Sequence, residues 1–267
     1  MSGLGENSGG RSPLALRFAR RLAAPLALGE DLLVLAPHPD DETLGCGGTI
    51  HLARQAGARV TIAFLTDGAD SHAHLLDRGE LVALRRAEAA AAAAVLGVGE
   101  EDLRFLALPD GRLGGAEPQA REQLAALVAE RGPGALLAPC AWDVSDDHLA
   151  AARIAAAVAA AAGLPVHGYA TWFWDRWPWT ATRAGSWPRT LARAARGDLR
   201  LATRFRTAVE LGPALAVKRR ALAQHRTQVE RREGNPDWPI LADASAGRWL
   251  GLNLAPVELF ASQVVVP

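Results

Sequence analysis

The sequence is short of several residue types, and each shortage excludes a class of protein. Its 267 residues include two cysteines and one lysine, and acidic and basic residues balance at 29 each. Two cysteines that are not in a CxxC pair cannot form a disulfide framework, so a reducing cytoplasm fits best. Zero net charge excludes a globally basic nucleic-acid binder and leaves any charge-driven partner to a local patch.

Apolar runs long enough to cross a membrane are also missing. The longest alanine-rich stretch, 149–166, contains an arginine and a Gly-Leu-Pro break, which predicts a helix and a turn. Arginines at positions 17, 20 and 21 interrupt the apolar region that a signal peptide would need at the start of the chain. We therefore expect a soluble, cytoplasmic protein.

What the sequence does contain is an alternation of strand and helix patterns. Short apolar runs predict buried strands at 31–37, 59–66, 103–108 and 135–139, and helices are predicted at 13–24, 43–55, 79–96, 116–131 and 148–162. The pattern predicts an α/β fold with a mainly parallel sheet and helices on both faces. Strands at 167–174 and 257–266 and a helix at 213–232 complete the prediction. We expect an N-terminal extension over 1–30 and a single domain over 31–267.

The strongest chemical signal follows the first predicted strand, where residues 37–48 read PHPDDETLGCGG. In open α/β sheets, ligands bind at the carboxyl ends of strands, so His38 and the acidic residues after it are expected to lie at a functional edge. The two prolines fix φ and stiffen this loop. His38 and Asp41 form half of a metal site, and His148, just past the strand at 135–139, is the natural third ligand.

Two imidazoles and a carboxylate with open positions are a ligand set typical of catalytic zinc, and ferrous iron takes the same set. Asp40 adjoins the ligands without having to be one, so we predict it as general base and later general acid. Glu42 is expected to point away or to orient a ligand.

These residues resemble the signature of the zinc-dependent de-N-acetylases of the LmbE/PIG-L family, which act on N-acetylglucosamine-containing and related amides. Weaker matches follow in order over roughly residues 31–230: TDG at 66–68, RRAE at 85–88, LG at 96–97, Asp147-His148, and Lys218 with Ala221, His225 and Gln228. The resemblance implies a Rossmann-like fold, zinc bound by His38, Asp41 and His148, and Asp40 as the base.

The resemblance also implies that Arg85 helps to hold the site or the substrate, and we expect Asp147 to orient a neighbouring group. One departure concerns the second motif, usually His-Pro-Asp-His, where Ser145 stands in place of the first histidine. That histidine is thought to assist the oxyanion of the tetrahedral intermediate. His225 is the candidate replacement; otherwise the enzyme is slow, or catalysis has been lost.

Other interpretations remain open at this point. The acidic loop can be a turn whose carboxylates cap a helix, whereas GCGG does not fit a dinucleotide loop. The substrate can be an N-acetylated amino sugar, a thiol conjugate or another acyl amide. A metal-binding protein with weak or no turnover is the alternative from another class.

A segment at about 172–207 is rich in tryptophan and arginine. Trp172, Trp174, Trp177, Trp179 and Trp187 fall within sixteen residues, and eight arginines stand against one acid from Arg176 to Arg206. The tryptophans indicate packing or an interface, or else a surface for sugar rings. The arginines indicate a solvated face, or an anionic partner such as a phosphate-bearing or lipid-linked sugar. We expect His72 and His74, in a polar loop, to be solvated.

Overall fold

The computed structural model describes residues 14–72, 74–174 and 187–263. The helices of this part are α1 (Leu14–Leu22), α2 (Asp41–Gln55), α3 (Arg78–Leu96), α4 (Glu117–Arg131), α5 (Asp146–Ala162), α6 (Trp187–Arg204), α7 (Ala214–Leu222), α8 (Arg226–Val229) and α9 (Arg248–Asn253). The strands are β1 (Ala24–Pro25), β2 (Leu32–Ala36), β3 (Val60–Thr66), β4 (Leu103–Leu108), β5 (Ala135–Pro139), β6 (Val166–Tyr169), β7 (Phe205–Glu210) and β8 (Val257–Gln263).

The strands of the described part form one mixed sheet in the order β1-β7-β8-β6-β5-β2-β3-β4. Every pairing is parallel except those of β8, which runs antiparallel to β6 and β7. Because β3 and β5 flank β2 on opposite sides, strand order reverses at β2. The predicted α/β fold with a mainly parallel sheet is confirmed, and a ligand is expected in the crevice at this reversal.

Strand β2 is covered on both faces. Leu32, Val34 and Ala36 pack in one core with residues of α2, α3 and α7. Leu33 and Leu35 pack in a second core, with residues of α4 and α5. A strand buried on both sides must be apolar at every position, which explains the continuous apolar run in the sequence.

The structure corrects two predicted elements and adds a strand that was not predicted. The strand predicted at 167–174 ends at Tyr169, and a 3₁₀ turn over Trp172–Trp174 follows. The helix predicted at 213–232 is two helices, α7 and α8, with a turn at 223–225 between them. Strand β7 was not predicted, although its alternate residues Phe205, Thr207 and Val209 are buried, as on a half-covered strand.

The N-terminal residues of the described part join the rest of the chain. Helix α1 packs against α6, and β1 pairs with β7 in the sheet. The division predicted at residue 30 stays a prediction. Among the described helices, none combines the length and the apolar character that a bilayer span needs.

Candidate active site

The carboxyl ends of β2 and β5 bring the three predicted ligands together. His38 lies in the loop after β2, Asp41 is the first residue of α2, and His148 is in the first turn of α5. Asp41 Oδ2 is 3.1 Å from both His38 Nδ1 and His148 Nε2. The ligand atoms of the three residues all lie within 4.8 Å of one another, which is close enough for one metal ion to contact them all.

The surroundings of His148 test whether a cation fits this group. The ring is fully buried, and Nδ1 lies 3.0 Å from both Asp143 Oδ2 and Thr171 Oγ1. Its Nε2 makes no hydrogen bond of acceptable geometry, even though Asp41 is near. With Asp143 accepting from Nδ1–H, the lone pair of Nε2 is left for a ligand. Such an orphaned polar atom costs roughly 1–3 kcal/mol, and a coordinated metal ion would remove that cost.

The ring of His38 is held through its other nitrogen. His38 Nε2 lies 3.1 Å from Asp110 Oδ1 and 3.2 Å from Asp147 Oδ2. Carboxylates that accept from one ring nitrogen leave the other free as a ligand, a common arrangement around metal-binding histidines. Asp110 was not predicted as a site residue, and its signal in the sequence is its position just after β4, at the same edge of the sheet.

His38, Asp110 and Asp147 also lie close enough together to be a metal group of their own. However, both Asp147 oxygens already accept backbone N–H groups, Oδ2 from Gly111 at 2.8 Å and Oδ1 from Leu113 at 2.9 Å. Asp147 therefore joins α5 to the loop after β4 and also lies against the ring of His38. The group around His148 is the better metal candidate.

The carboxylates make this site favour positive charge. Burial lowers the pKa of His148, but the Asp41 and Asp143 carboxylates outweigh it and raise that pKa to about 9. Burial raises the pKa of Asp41, but His148 and His38 hold it well below its usual range. A site that binds a proton so firmly also attracts a divalent cation, which competes for the same nitrogen lone pairs.

Asp40 has a strained backbone. Its φ is 142°, in a region that residues other than glycine rarely adopt. Burial raises the pKa of its carboxyl group to about 7. The guanidinium of Arg85, whose Nη2 lies 3.3 Å from Asp40 Oδ2, acts to lower that pKa. Strain of this kind clusters at functional sites and persists only where the surroundings fix it.

Arg85 contacts the protein rather than open space. It is buried, and its Nη1 donates to Gly68 O at 2.6 Å and to Ser71 Oγ at 3.2 Å. Its Nη2 donates to Pro39 O at 2.7 Å as well as to Asp40. These bonds hold the loop that carries Asp40.

Glu42 binds the backbone of Asp40. Its Oε2 accepts the Asp40 N–H at 3.0 Å, and its Oε1 lies 3.1 Å from His225 Nε2 and accepts from Thr43 Oγ1 at 2.5 Å. Glu42 and His225 are both buried. Glu42 therefore orients Asp40 rather than a metal ligand, and the structure places His225 Nε2 against Glu42.

Ser145 caps α5 in an extended conformation, is half-buried and makes no side-chain capping bond. A serine at this position is shorter than the histidine of the usual motif, so it does not reach as far into the site.

The described tryptophans are packing residues. Trp172 stacks on Trp249 with ring centroids 4.4 Å apart, and Trp174 is buried. Trp177 and Trp179 lie outside the described residues, as does the side chain of Trp187. Of the arginines in this segment, those at 200, 204 and 206 are exposed, and those at 176 and 183 and the side chains at 189, 193 and 196 lie outside what is described.

The prediction for His72 is wrong. Its ring is buried, Nε2 lies 2.9 Å from Pro239 O, and the ring packs against Trp238 with centroids 4.3 Å apart. The sequence around it is polar, but the distant segment 238–239 covers it in the folded chain. His74 is exposed, as predicted.

Comparison with known proteins gives a consistent family signal. Residues 33–159 match the family model described as GlcNAc-PI de-N-acetylase (PIG-L). The diacetylchitobiose deacetylase of Thermococcus kodakarensis is 30% identical over 157 residues, which is 58% of this chain and 58% of that protein's length. The match therefore spans less than two thirds of that relative.

Solved structures match over more of the chain. N,N'-diacetylchitobiose deacetylase from Pyrococcus horikoshii has a TM-score of 0.63 at 19% identity, covering 88% of this chain and 84% of that one. A conserved protein from Thermus thermophilus has a TM-score of 0.57 at 26% identity, covering 89% and 96%. At 19% identity, the similarity to the Pyrococcus horikoshii structure shows the fold alone.

Proposed function

We propose that this chain, whose residues 33–159 match the PIG-L family model, is a metal-dependent deacetylase that removes the N-acetyl group of an amino sugar or sugar-containing metabolite. The products are acetate and a free amine. The observation that carries the proposal is the meeting of His38, Asp41 and His148 beside the strained Asp40. The diacetylchitobiose deacetylase similarity supports an N-acetylated sugar as the substrate class.

The cofactor we propose is zinc, held by His38 Nδ1, an Asp41 carboxylate oxygen and His148 Nε2. A bound zinc ion lowers the pKa of water to ~7 and polarises a carbonyl group. The same nitrogen and oxygen donors also suit ferrous iron.

The protein's own residues then have distinct roles. Asp40 takes the proton of the attacking water and returns it to the amine nitrogen as the C–N bond breaks. Arg85 acts through Asp40, because its guanidinium bonds Asp40, Pro39 and Gly68. Asp147, together with Asp110, holds the ring of His38 through Nε2, so that Nδ1 would be available to a metal ion.

Ser145 sets the second candidate function. The usual histidine donor to the oxyanion is missing at this position, and losing one such donor can cost ~10²-fold or more in rate. A metal-binding protein with weak or no turnover is therefore the alternative. Action on a thiol conjugate or another acyl amide would use the same residues.

The test compares metal content and acetate release in four proteins. Wild type is compared with Asp40→Asn, with the double variant His38→Ala, Asp41→Ala, and with Asp237→Asn, an exposed aspartate outside the site. N-acetylglucosamine and diacetylchitobiose serve as substrates, and elemental mass spectrometry counts the metal. We expect wild type and Asp237→Asn to bind about one metal per chain and to release acetate.

Asp40→Asn is expected to keep the metal and lose acetate release, and the double variant to lose both. Full activity of Asp40→Asn would refute its role as base. Metal without acetate release in wild type would favour the alternative functions, and a metal-free wild type that resists reloading would refute the metal centre.

Two further parts of the proposal concern location and partners. We propose that the protein acts in the cytoplasm, and that the exposed arginines contact an anionic or lipid-linked substrate group. Cell fractionation tests the first. Co-sedimentation with anionic and neutral vesicles tests the second, and equal binding to both would count against it.

A further inference from the structure

The backbone of Asp40 is held at three points. Its N–H donates to Glu42 Oε2 at 3.0 Å, and the preceding carbonyl, Pro39 O, accepts from Arg85 Nη2 at 2.7 Å. Its own carbonyl accepts from the N–H groups of Thr43 and Leu44. A residue with φ of 142° keeps that conformation only if such contacts outweigh the strain, which is of order 1–3 kcal/mol.

The contact to the N–H depends on a second residue far away in the sequence. Glu42 is fully buried, and its other oxygen lies 3.1 Å from the ring nitrogen Nε2 of His225. A buried carboxylate needs partners for its charge, and apart from Thr43 Oγ1 and the Asp40 N–H, His225 is the group that can supply one. Removing His225 would leave that charge without its cationic partner.

The position of His225 is itself fixed from α3. Two residues along, Thr227 gives its N–H to Glu88 Oε1 at 2.8 Å and its hydroxyl to Glu88 Oε2 at 2.6 Å. Glu88 and Arg85 are three residues apart on α3 and so share one face of the helix. Helix α3 is therefore linked to Asp40 by two routes. Arg85 bonds Asp40 directly, whereas Glu88 acts through the turn that carries His225 and then through Glu42.

We propose that His225 is a positioning residue that acts through Glu42 on the backbone N–H of Asp40, and that Glu88 and Thr227 fix it in that place. The proposal rests on the proposed function, in which Asp40 is the base. It differs from the sequence-based prediction that His225 donates to the oxyanion. If His225 positions Asp40, the effect of replacing His225 on activity depends on Glu42. If His225 were an oxyanion donor, that effect would be independent of Glu42.

The experiment measures kcat, KM and metal content for a set of variants. His225→Met removes the ring N–H at similar volume, His225→Gln keeps an N–H donor, and Glu42→Gln removes the charge that His225 meets. The double variant His225→Met, Glu42→Gln completes the cycle. His51→Met serves as the control, because His51 is a half-buried histidine on α2 whose Nδ1 bonds Leu96 O, away from the site.

We expect His225→Met to lower kcat by ~10–100-fold with KM and metal content unchanged, since a displacement of about 1 Å at a reacting group costs that much. His225→Gln is expected to recover most of the loss, and His51→Met to match wild type. In the double variant the two losses should not multiply. Losses that multiply, or a fall in metal content, would overturn the proposal and favour the oxyanion donor or a plain structural role.

A crystal structure of His225→Met separates failure of this inference from failure of the proposed function. We expect the Asp40 N–H to leave Glu42 and the Asp40 φ to change, whether or not the protein deacetylates anything. An unchanged Asp40 in that variant would refute the inference. If His225→Met does not fold, Thr227→Val should show the same kinetic signature in milder form, because it removes the hydroxyl bond to Glu88 and a 3.5 Å contact from Gln228 Nε2 but keeps the Thr227 N–H bond to Glu88. Wild-type kinetics in Thr227→Val would count against the proposal.

Discussion

Lys218→Met tests how the candidate site is supported, because the ion pair of Lys218 and Glu258 lies against a break in α2. Cys46 departs from helical geometry, with φ of −148°, so α2 is broken at this residue. Lys218 Nζ donates to Leu44 O at 2.8 Å and to Glu258 Oε1 at 2.7 Å. Glu258 accepts the N–H groups of Gly48 and Thr49 at 2.9 and 2.8 Å, so the pair satisfies both halves of the broken helix.

The magnitude follows from burial. The side chains of Lys218 and Glu258 are 1% and 3% exposed. Removing one partner of such a buried pair leaves an uncompensated charge and costs roughly 3–5 kcal/mol. At about 2–4 °C per kcal/mol for a chain of this size, the midpoint of thermal unfolding should fall by roughly 6–20 °C. The proposed ligand Asp41 lies in the half of α2 that precedes the break, so metal affinity should fall as well.

Urea and thermal unfolding measure the loss, with two matched variants. Arg20→Met breaks the ion pair between Arg20 and Glu210, whose side chains are about half exposed, and should cost about 0–1 kcal/mol. The double variant Lys218→Met, Glu258→Gln removes both charges and should recover part of the loss, since the amide oxygen can still accept from one of the two backbone N–H groups that Glu258 satisfies. A loss no larger than that of Arg20→Met, or a double variant less stable than Lys218→Met, would refute this reasoning.

Two other outcomes are expected. Gly45→Ala would put a Cβ 2.1 Å from the buried ring of Tyr169, so we expect a loss of about 1–3 kcal/mol in thermal unfolding. Gly29→Ala, with nothing within 4 Å of the new Cβ, is the control, and equal stability of the two variants would contradict the packing argument. Asp143→Ala removes the carboxylate partner of His148 Nδ1, leaves Thr171 Oγ1 beside it, and should weaken metal affinity ~10–100-fold in a chelator competition. A metal affinity equal to that of wild type would contradict this prediction.

Local sequence was sufficient for the central part of the fold. The run at 32–36 is apolar at every position because both of its faces are covered, and the same physical reason makes the strands at 60–66 and 135–139 recognisable. It was not sufficient where elements depend on distant partners. The break between α7 and α8 has no strong local signal. The antiparallel direction of β8 is seen only in its pairing with β6 and β7, which are distant in the sequence.

The sequence by itself also determined which residues meet at the candidate metal centre. His38, Asp41 and His148 follow strands whose carboxyl ends share one edge of the sheet, so strand order alone brings them together. The hydrogen-bond partners of these candidate ligands could not be predicted in this way. A hydrogen bond depends on atomic positions that the spacing of residues in the sequence does not encode. Only the tertiary structure decided that Asp110 holds His38 and that Asp143 holds His148.

The same holds for the residues behind Asp40. In the sequence His225 lies 183 residues from Glu42, and His72 sits in a loop whose composition indicates exposure. Folding puts His225 against Glu42 and covers His72 with residues 238–239, because protein interiors are close-packed and side chains from distant segments fill the space beside these loops. The candidate functional residues at the strand ends could therefore be predicted from local sequence. The contacts that hold these residues in place were decided by tertiary packing.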